Sequence, residues 1–408
     1  MIWLACVSPD KVSETGEVVE TAAPGETAAP PDSPPPDSPP PDSDPPDSDP
    51  PAFELYDPFT IHEFHLELSQ AAIDELSLAP KEYVVGTLIH GDDRYEDVGI
   101  RLKGNSSYRW LTQKAPLKVK LHHVDDEQRF HDGVERLTFN SNVHDPSMMA
   151  ETLAYRLYGL AGSPSPRTGY ARLWLNDVSL GLYTIVESMD DEFIDEAWPG
   201  STGSLYEPAR GCDLDDDPSC YELEQAGDSW TKDELRVVHE ASGSYETLSP
   251  HVDWDRVLAY LAVERFAQHR DSYSFNGNNH HLFFEPDGQQ VSLSPWGADS
   301  TFVYRYPVDE GAYDCVSTLS ETLDATPTGI MALRCEEDAG CAAALEAEIL
   351  RVAQLVEDEA YWELVEQVAE VVRDDVLAEP RTAYTAEQFD ARVACHTAWI
   401  QARVDEVR

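Results

Sequence analysis

The residues best suited to chemistry lie between His269 and Phe302. The stretch opens on His269-Arg270-Asp271, places Asn276 five residues after Asp271, and closes on Asp299 within Pro295-Trp296-Gly297-Ala298-Asp299. A carboxylate such as Asp271 can receive the proton of a hydroxyl nucleophile. Asn276, or the nearby Asn279, and Asp299 offer the oxygen donors that a hard divalent cation prefers. A base beside an oxygen-ligated metal is two-thirds of what phosphoryl transfer needs; the third part is a cation on the phosphates. Lys103, Lys114, Lys118 and Lys120 are the candidates. They surround Gly104-Asn105-Ser106-Ser107 in a chain with only 28 Lys and Arg against 78 Asp and Glu. A Gly/Ser turn of this kind can offer backbone N–H groups to a phosphate. Neither G-x-x-x-x-G-K-[ST] nor G-x-G-x-x-G is present, so the two usual phosphate loops are excluded.

Elements must hold these groups together. His281 to Phe284 reads as one strand, Asp287-Gly288 as a turn, and Val291 to Leu293 as the return strand. Asp271 and Asp299 therefore sit at the open ends of one hairpin, on the same side. The order H-R-D-x-x-x-x-N followed by an Asp is that of the protein-kinase catalytic loop. Upstream, alternation predicts a strand over 61–67, a helix over 69–78 capped by Ser69, and a strand pair over 83–89 and 95–103. Residues 117–122 read as a strand with Lys118 and Lys120 on one face and Val119 and Leu121 on the other. Residues 137–139 are a short strand, 146–160 a helix capped by Asp145, and 171–175 with 181–186 a hairpin across Asn176-Asp177. Glu151 on that helix reads as a surface charge that could alternatively pair with a strand lysine. Glu187 falls where the sheet half runs into the helical half, the place where backbone N–H and C=O groups would meet an adenine. Residues 190–198 are a short helix, 203–250 loop-rich, 254–269 a helix, and 344–357, 361–377 and 386–407 the closing helices.

Composition sets the surroundings. The 408 residues carry a formal charge of -50 and are 41% hydrophobic, enough for a sizeable core. So acidic a surface repels nucleic acid and anionic membranes. Residues 7–51 repeat units such as Pro34-Pro35-Pro36-Asp37-Ser38 and are expected to form a disordered, extended linker. Residues 1–6 look like the remnant of a lipoprotein signal, with Cys6 as the lipid site and the only expected link to a membrane. The remaining cysteines are even in number, as disulfides in an exported protein would be. Cys212 with Cys220 and Cys335 with Cys341 are expected as local pairs, and Cys315 with Cys395 as the long-range pair.

Taken in order, these segments resemble the spore-coat-H-type (CotH) kinase family. The likeness runs through Arg101-Leu102-Lys103-Gly104-Asn105-Ser106-Ser107, then Lys114 to Lys120, Asp145-Pro146-Ser147, and Gly181 to Glu187. It continues through Gly203-Ser204-Leu205-Tyr206, Asp271 with Asn278-Asn279, and Pro295 to Asp299. The resemblance implies an α+β, atypical protein-kinase-like bilobal fold over residues 52–408. The β-rich N-lobe would span about 52–187 and the α-rich C-lobe about 188–408. It implies transfer of the ATP γ-phosphate, with Mg²⁺ or Mn²⁺, to Ser or Thr of extracytoplasmic, cell-surface or secreted proteins. On that reading Asp271 is catalytic and Asp299 holds metal. The family commonly has W-D-x-D where this chain has Trp296-Gly297-Ala298-Asp299, so one acid is missing. The alternative is a catalytically silent surface protein with a structural or binding role. A hydrolase using paired carboxylates has little support, since acids are so abundant that such pairs arise by chance, and G-x-S-x-G is absent.

Overall fold

The computed structural model describes residues 54–227, 233–285, 290–302, 315, 323, 325–381 and 384–408. The expected linker, Cys6 and the Asp287-Gly288 turn lie outside them. The chain begins with alternating burial in β1 (Ile61–Glu67), where Phe64 and Leu66 point inward. Helix α1 (Gln70–Leu78) follows, with the Ser69 hydroxyl accepting the Ala72 N–H at 3.2 Å as its cap. Then come β2 (Val84–His90), β3 (Asp93–Leu102), β4 (Leu117–Lys120), β5 (Arg136–Asn140), α2 (Ala150–Ala161), β6 (Thr168–Leu175) and β7 (Val178–Val186).

The seven strands close into a barrel in the order β1-β2-β3-β4-β5-β7-β6. Neighbours are antiparallel except β1 and β6, which run parallel. A parallel pair needs a long crossover, and α2 lies on the connection between β5 and β6. The hairpin of β6 and β7 turns on Asn176 and Asp177, both left-handed (φ 46° and 65°), the conformation a two-residue type I′ turn demands. Leu66, Val98, Ile100, Leu117, Val119, Leu137, Phe139, Leu173 and Ile185 fill the interior. With alternate residues of β4 committed to that core, Lys118 and Lys120 must face out of it.

The second half runs α3 (Asp191–Ala197), β8 (Ser204–Pro208), β9 (Tyr221–Gln225), α4 (Asp233–Ala241), α5 (Tyr245–Leu248), α6 (Trp254–Phe266), α7 (Tyr273–Asn276), β10 (His280–Phe284) and β11 (Val291–Pro295). It ends in α8 (Ile330–Glu337), α9 (Ala339–Asp358), α10 (Tyr361–Leu377) and α11 (Ala386–Val407). A four-stranded antiparallel sheet, β11-β10-β8-β9, is embedded among these helices. The fold is thus α+β with a strand-rich first half and a helix-rich second half.

Three differences from the sequence reading have physical causes. The stretch 203–250 is not loop-rich: β8 and β9 are too short to show alternation, and they gain stability by adding to the β10–β11 hairpin. The helix expected from residue 146 starts at Ala150, because Met148 adopts φ 58°, which a helix does not admit. The Asp145 carboxylate accepts the N–H groups of Ser147, Met149 and Ala150 instead. Helix α8, not foreseen, is short and tied to α9 by the Cys335–Cys341 disulfide. Cys212–Cys220 and Cys315–Cys395 are bonded as well, so the three expected pairings are those formed.

Candidate active site

The sheet half supplies one wall of a cleft of about 510 Å³. Arg101 on β3 pairs directly with Lys118 on β4, and Gly99 with Lys120. Like charges placed directly opposite on a sheet destabilise it unless an anion lies between them. Arg101, Lys118, Lys120 and Lys103, which follows β3 immediately, all line the cleft, and so do Lys81 and Arg136. Gly104 begins the turn beyond Lys103 with φ 88°, where a Cβ would sit 2.5 Å from the Ser107 hydroxyl. Glycine is the residue that such a turn admits. The Lys81 ammonium braces the turn by donating to Gly104 O at 2.7 Å and Asn105 Oδ1 at 3.1 Å.

Lys103 is the most elaborately held of these cations. Its Nζ donates to Asn140 Oδ1 at 2.5 Å, and Asn140 Nδ2 donates to both Glu151 carboxylate oxygens at 2.8 Å. Asn140 ends β5 and Glu151 lies in the first turn of α2. Lysine and glutamate are therefore joined through an amide. The ammonium also lies over the Trp296 ring, 5.3 Å from its centre. Desolvation, with nearby Lys118 second, pulls the Lys103 ammonium down to about 7; Glu151 and Asp299 oppose the shift. Burial pushes the Glu151 carboxyl up to about 7, and Asp299 adds to it.

The helical half supplies the opposite wall. Helix α6 delivers His269, fully buried, whose Nδ1 is 3.1 Å from the Tyr158 hydroxyl. Next to it, Asp271 is fixed by three neutral amides. Asn276 Nδ2 and Asn278 Nδ2 donate to Oδ1, and Asn279 Nδ2 donates to Oδ2 at 3.0 Å and to the Asp271 carbonyl at 2.6 Å. The loop is held from behind by Glu264 of α6, which accepts the Ser272 hydroxyl and the Ser274 N–H. Register in the hairpin, His280 opposite Pro295, together with the bond from Trp296 N to Asn279 O at 3.0 Å, sets the two ends side by side. Asp271 and Asp299 consequently face one cleft. Burial raises the Asp299 carboxyl to about 6; His144 opposes this, and Asp145 and Asp271 reinforce it.

Six of the residues singled out in the sequence meet here: Lys103, Lys118, Lys120, Asp271, Asn279 and Asp299. Three do not line the cleft. Lys114, expected on the phosphates, is buried against Glu379, with Nζ 2.5 Å from Oε2 and both side chains 2% exposed or less. Glu187 turns its carboxylate to Arg167, which holds it through Nε and Nη2 and through its own backbone N–H. Its successors Ser188 and Met189 reach the cleft instead. Asn276 donates to Asp271. Glu151, read as a surface charge, is 2% exposed and lines the cleft. Asn140 carried no signal in the sequence beyond standing at the end of a strand, and Asn278 entered only through the family likeness.

Among the described residues no cluster of three or more His, Cys, Asp or Glu side chains is arranged to hold a metal ion. A Mg²⁺ that keeps waters and binds substrate phosphates needs only one or two protein oxygens. Asp299 supplies a carboxylate, and Asn279, with its Nδ2 on Asp271, keeps its Oδ1 as an acceptor. Gly297 (φ 53°) bears on this directly. A Cβ there would lie 2.7 Å from Asn279 Oδ1, so the missing side chain is what leaves the Asn279 amide its place.

Comparisons with known proteins bear on the same region. The model of the CotH kinase protein family matches residues 100–398. Inner spore coat protein H of Bacillus subtilis (strain 168) is 22% identical over 209 residues, covering 45% of this chain and 55% of that protein. The match thus spans about half of that relative. Two solved structures overlap loosely. The Helicobacter pylori proinflammatory kinase CtkA is 10% identical with a TM-score of 0.32, over 71% of this chain and 92% of that one. The Shewanella oneidensis MR-1 toxin–antitoxin complex of HipA, HipB and operator DNA is 14% identical with a TM-score of 0.28, over 67% and 60%. Overlaps this loose support no argument about topology.

Proposed function

The chain belongs to the CotH kinase family, and on that premise we propose that it transfers the γ-phosphate of ATP to Ser or Thr hydroxyls of proteins outside the cytoplasm. One observation carries the reading. A carboxylate held by neutral amides, a second carboxylate, an amide oxygen and an array of lysines all line one cleft.

Asp271 is the base. The acceptor hydroxyl oxygen forms a bond to the γ-phosphorus, the bond from that phosphorus to the ADP oxygen breaks, and the hydroxyl proton passes to Asp271. Neutral amide donors orient the carboxylate and leave its negative charge uncancelled by a cation. Lys103, with Lys118 and Lys120 beside it, meets the phosphate charge. Asp299 and Asn279 would hold Mg²⁺ or Mn²⁺, which, when bound, neutralises charge on the phosphate oxygens. Ser188 and Met189, rather than the Glu187 side chain, stand where the adenine would lie.

Three disulfides suit an oxidising compartment, and one relative is named as a spore coat protein. Both support a surface or exported location, with lipidation at Cys6 as the proposed anchor. Among the described residues no helix is long and apolar enough to cross a membrane. The charge of -50 argues against nucleic acid as a partner.

The test is transfer from labelled ATP, with Mg²⁺ or Mn²⁺, to the protein itself and to Ser-containing peptides. Transfer is expected from the native chain and lost in Asp271→Ala and Asp299→Ala. No transfer by the native chain, with nucleotide still bound, would move the assignment to a silent binding protein.

A further inference from the structure

A second cavity, of about 400 Å³, adjoins the cleft and is lined by Arg109, Thr112, Gln113, Lys114, Val143, Pro380 and Arg381. Val143 borders both cavities. It lies next to His144 and two residues from Asp145, which both act electrostatically on Asp299. Through Val143 the second cavity thus adjoins the end of the cleft that holds Asp299.

Its charges are unusual for this molecule. Most arginines of so acidic a chain meet carboxylates, as Arg167, Arg172, Arg236, Arg265 and Arg373 do. Among the described residues, the guanidiniums of Arg109 and Arg381 pair with none, although the Arg381 backbone N–H donates to Glu379 Oε1 at 3.1 Å. Each is anchored by Nη1 on backbone carbonyls of one segment: Arg109 on Ser106 O and Tyr108 O, Arg381 on Leu111 O and Gln113 O. Both guanidiniums are thus fixed in place with donors to spare. Lys114 adds no free charge, since Glu379 neutralises it. Two arginines anchored on backbone carbonyls line one cavity whose neighbouring acid, Glu379, is already taken by Lys114, and their spare guanidinium donors suit a carboxylate.

We propose that this cavity binds the carboxylate of an Asp or Glu flanking the acceptor serine, so that the substrate class is an acid-flanked seryl segment. The chain itself carries such segments: Asp32-Ser33, Asp37-Ser38, Asp42-Ser43 and Asp47-Ser48, each set among prolines. They are acceptors of this class, served in trans by another copy. The serine oxygen takes the γ-phosphoryl group, ADP leaves, and the proton goes to Asp271. The inference rests on the phosphotransfer reading above, but the binding step can be tested apart from it.

Labelled Pro-Pro-Asp-Ser-Pro-Pro and Pro-Pro-Asn-Ser-Pro-Pro peptides are compared by fluorescence anisotropy on the full chain with ATP analogue and Mg²⁺. The Asp peptide is expected to bind about tenfold more tightly. That preference should vanish in Arg109→Gln/Arg381→Gln and return in large part in Arg109→Lys/Arg381→Lys, while Asn-peptide binding stays constant. The constant arm separates loss of the site from loss of the fold. Equal binding of the two peptides, or a preference that survives the double Gln variant, overturns the site. A preference in binding without any phosphate transfer overturns the catalytic reading and leaves the site standing. In an active preparation, mass spectrometry should place phosphate on Ser33, Ser38, Ser43 or Ser48; its absence there overturns the assignment of the chain's own repeat.

Discussion

The two walls of the cleft are built on different principles. The cationic wall stands on β3 and β4, whose ladder fixes Arg101 and Lys118 opposite each other whatever their side chains do. Arg101 and Lys118 repel, and Glu207 and Glu224, which line the same cleft, oppose that repulsion at Lys118. The acidic wall stands on loops with left-handed Gly277, Asn279 and Gly297. There Asp271 owes its orientation to side-chain amides alone. The first wall is positioned by the backbone ladder; the second is positioned by side-chain amides that leave the Asp271 charge without a cation among the described residues. Substitutions in the first should alter nucleotide binding at little cost to geometry. Substitutions in the second should alter turnover at little cost to nucleotide binding.

The largest expected effect is at Asp271. Asp271→Ala should lower kcat by about 10³-fold, within the usual span for a general base, with the KM for ATP changed little. A KM change as large as the kcat change would erase the division between the walls. Lys103 and Lys114 give the next contrast. Lys103→Met should weaken ATP binding about a hundredfold without lowering the melting temperature, because its partner Asn140 is neutral. Lys114→Met should leave ATP binding intact and destabilise the fold by about 3–5 kcal/mol, since it strands the buried Glu379 carboxylate. Thermal melts with nucleotide titrations on both variants decide this; interchanged outcomes would show that the wrong lysine is assigned to the phosphates.

A pH test sharpens the cationic wall. Burial holds Lys103 at about 7. Below that pH the cation is already present and ATP binds it without proton uptake. Above it the free lysine is neutral, and phosphates that favour the charged form must draw in a proton. Affinity should then fall by roughly tenfold per pH unit above 7, until the pKa of the bound state is reached. Calorimetry at pH 8 in two buffers of different ionisation heat should report uptake approaching one proton in the native chain and less in Lys103→Met. Smaller effects are expected on the acidic wall. Asn279→Ala removes one oriented donor from Asp271 and should lower kcat about tenfold. Gly297→Ala places a methyl against the Asn279 amide and should cost a few-fold in kcat by the same route. If Gly297→Ala were inert while Asn279→Ala was not, the link between these two residues would be wrong.

Much of this was legible in the chain. Alternation located β1 and β4, and 3.6-residue periodicity located α10 and α11 with the observed ends. Those patterns are local consequences of which face meets the core. Hairpin chemistry brought Asp271 and Asp299 to one end. Short elements escaped: β8 and β9 gain their stability by adding to the β10–β11 hairpin, distant in sequence, and α8 spans only eight residues.

The sequence by itself determined the kinds of groups available and their local order: an aspartate suited to act as a base, candidate oxygen donors, lysines around a Gly/Ser turn, and cysteines even in number once Cys6 is set aside. Which lysine faces the cleft was decided by the tertiary structure. Lys103 and Lys114 flank the same segment and look alike in sequence. One meets Asn140 from β5, and through it Glu151 of α2; the other meets Glu379, 265 residues away. Charge type is a property of the residue, but solvation and partnership belong to its surroundings. Only the folded chain brings Glu379 to one lysine and leaves the other facing the cleft.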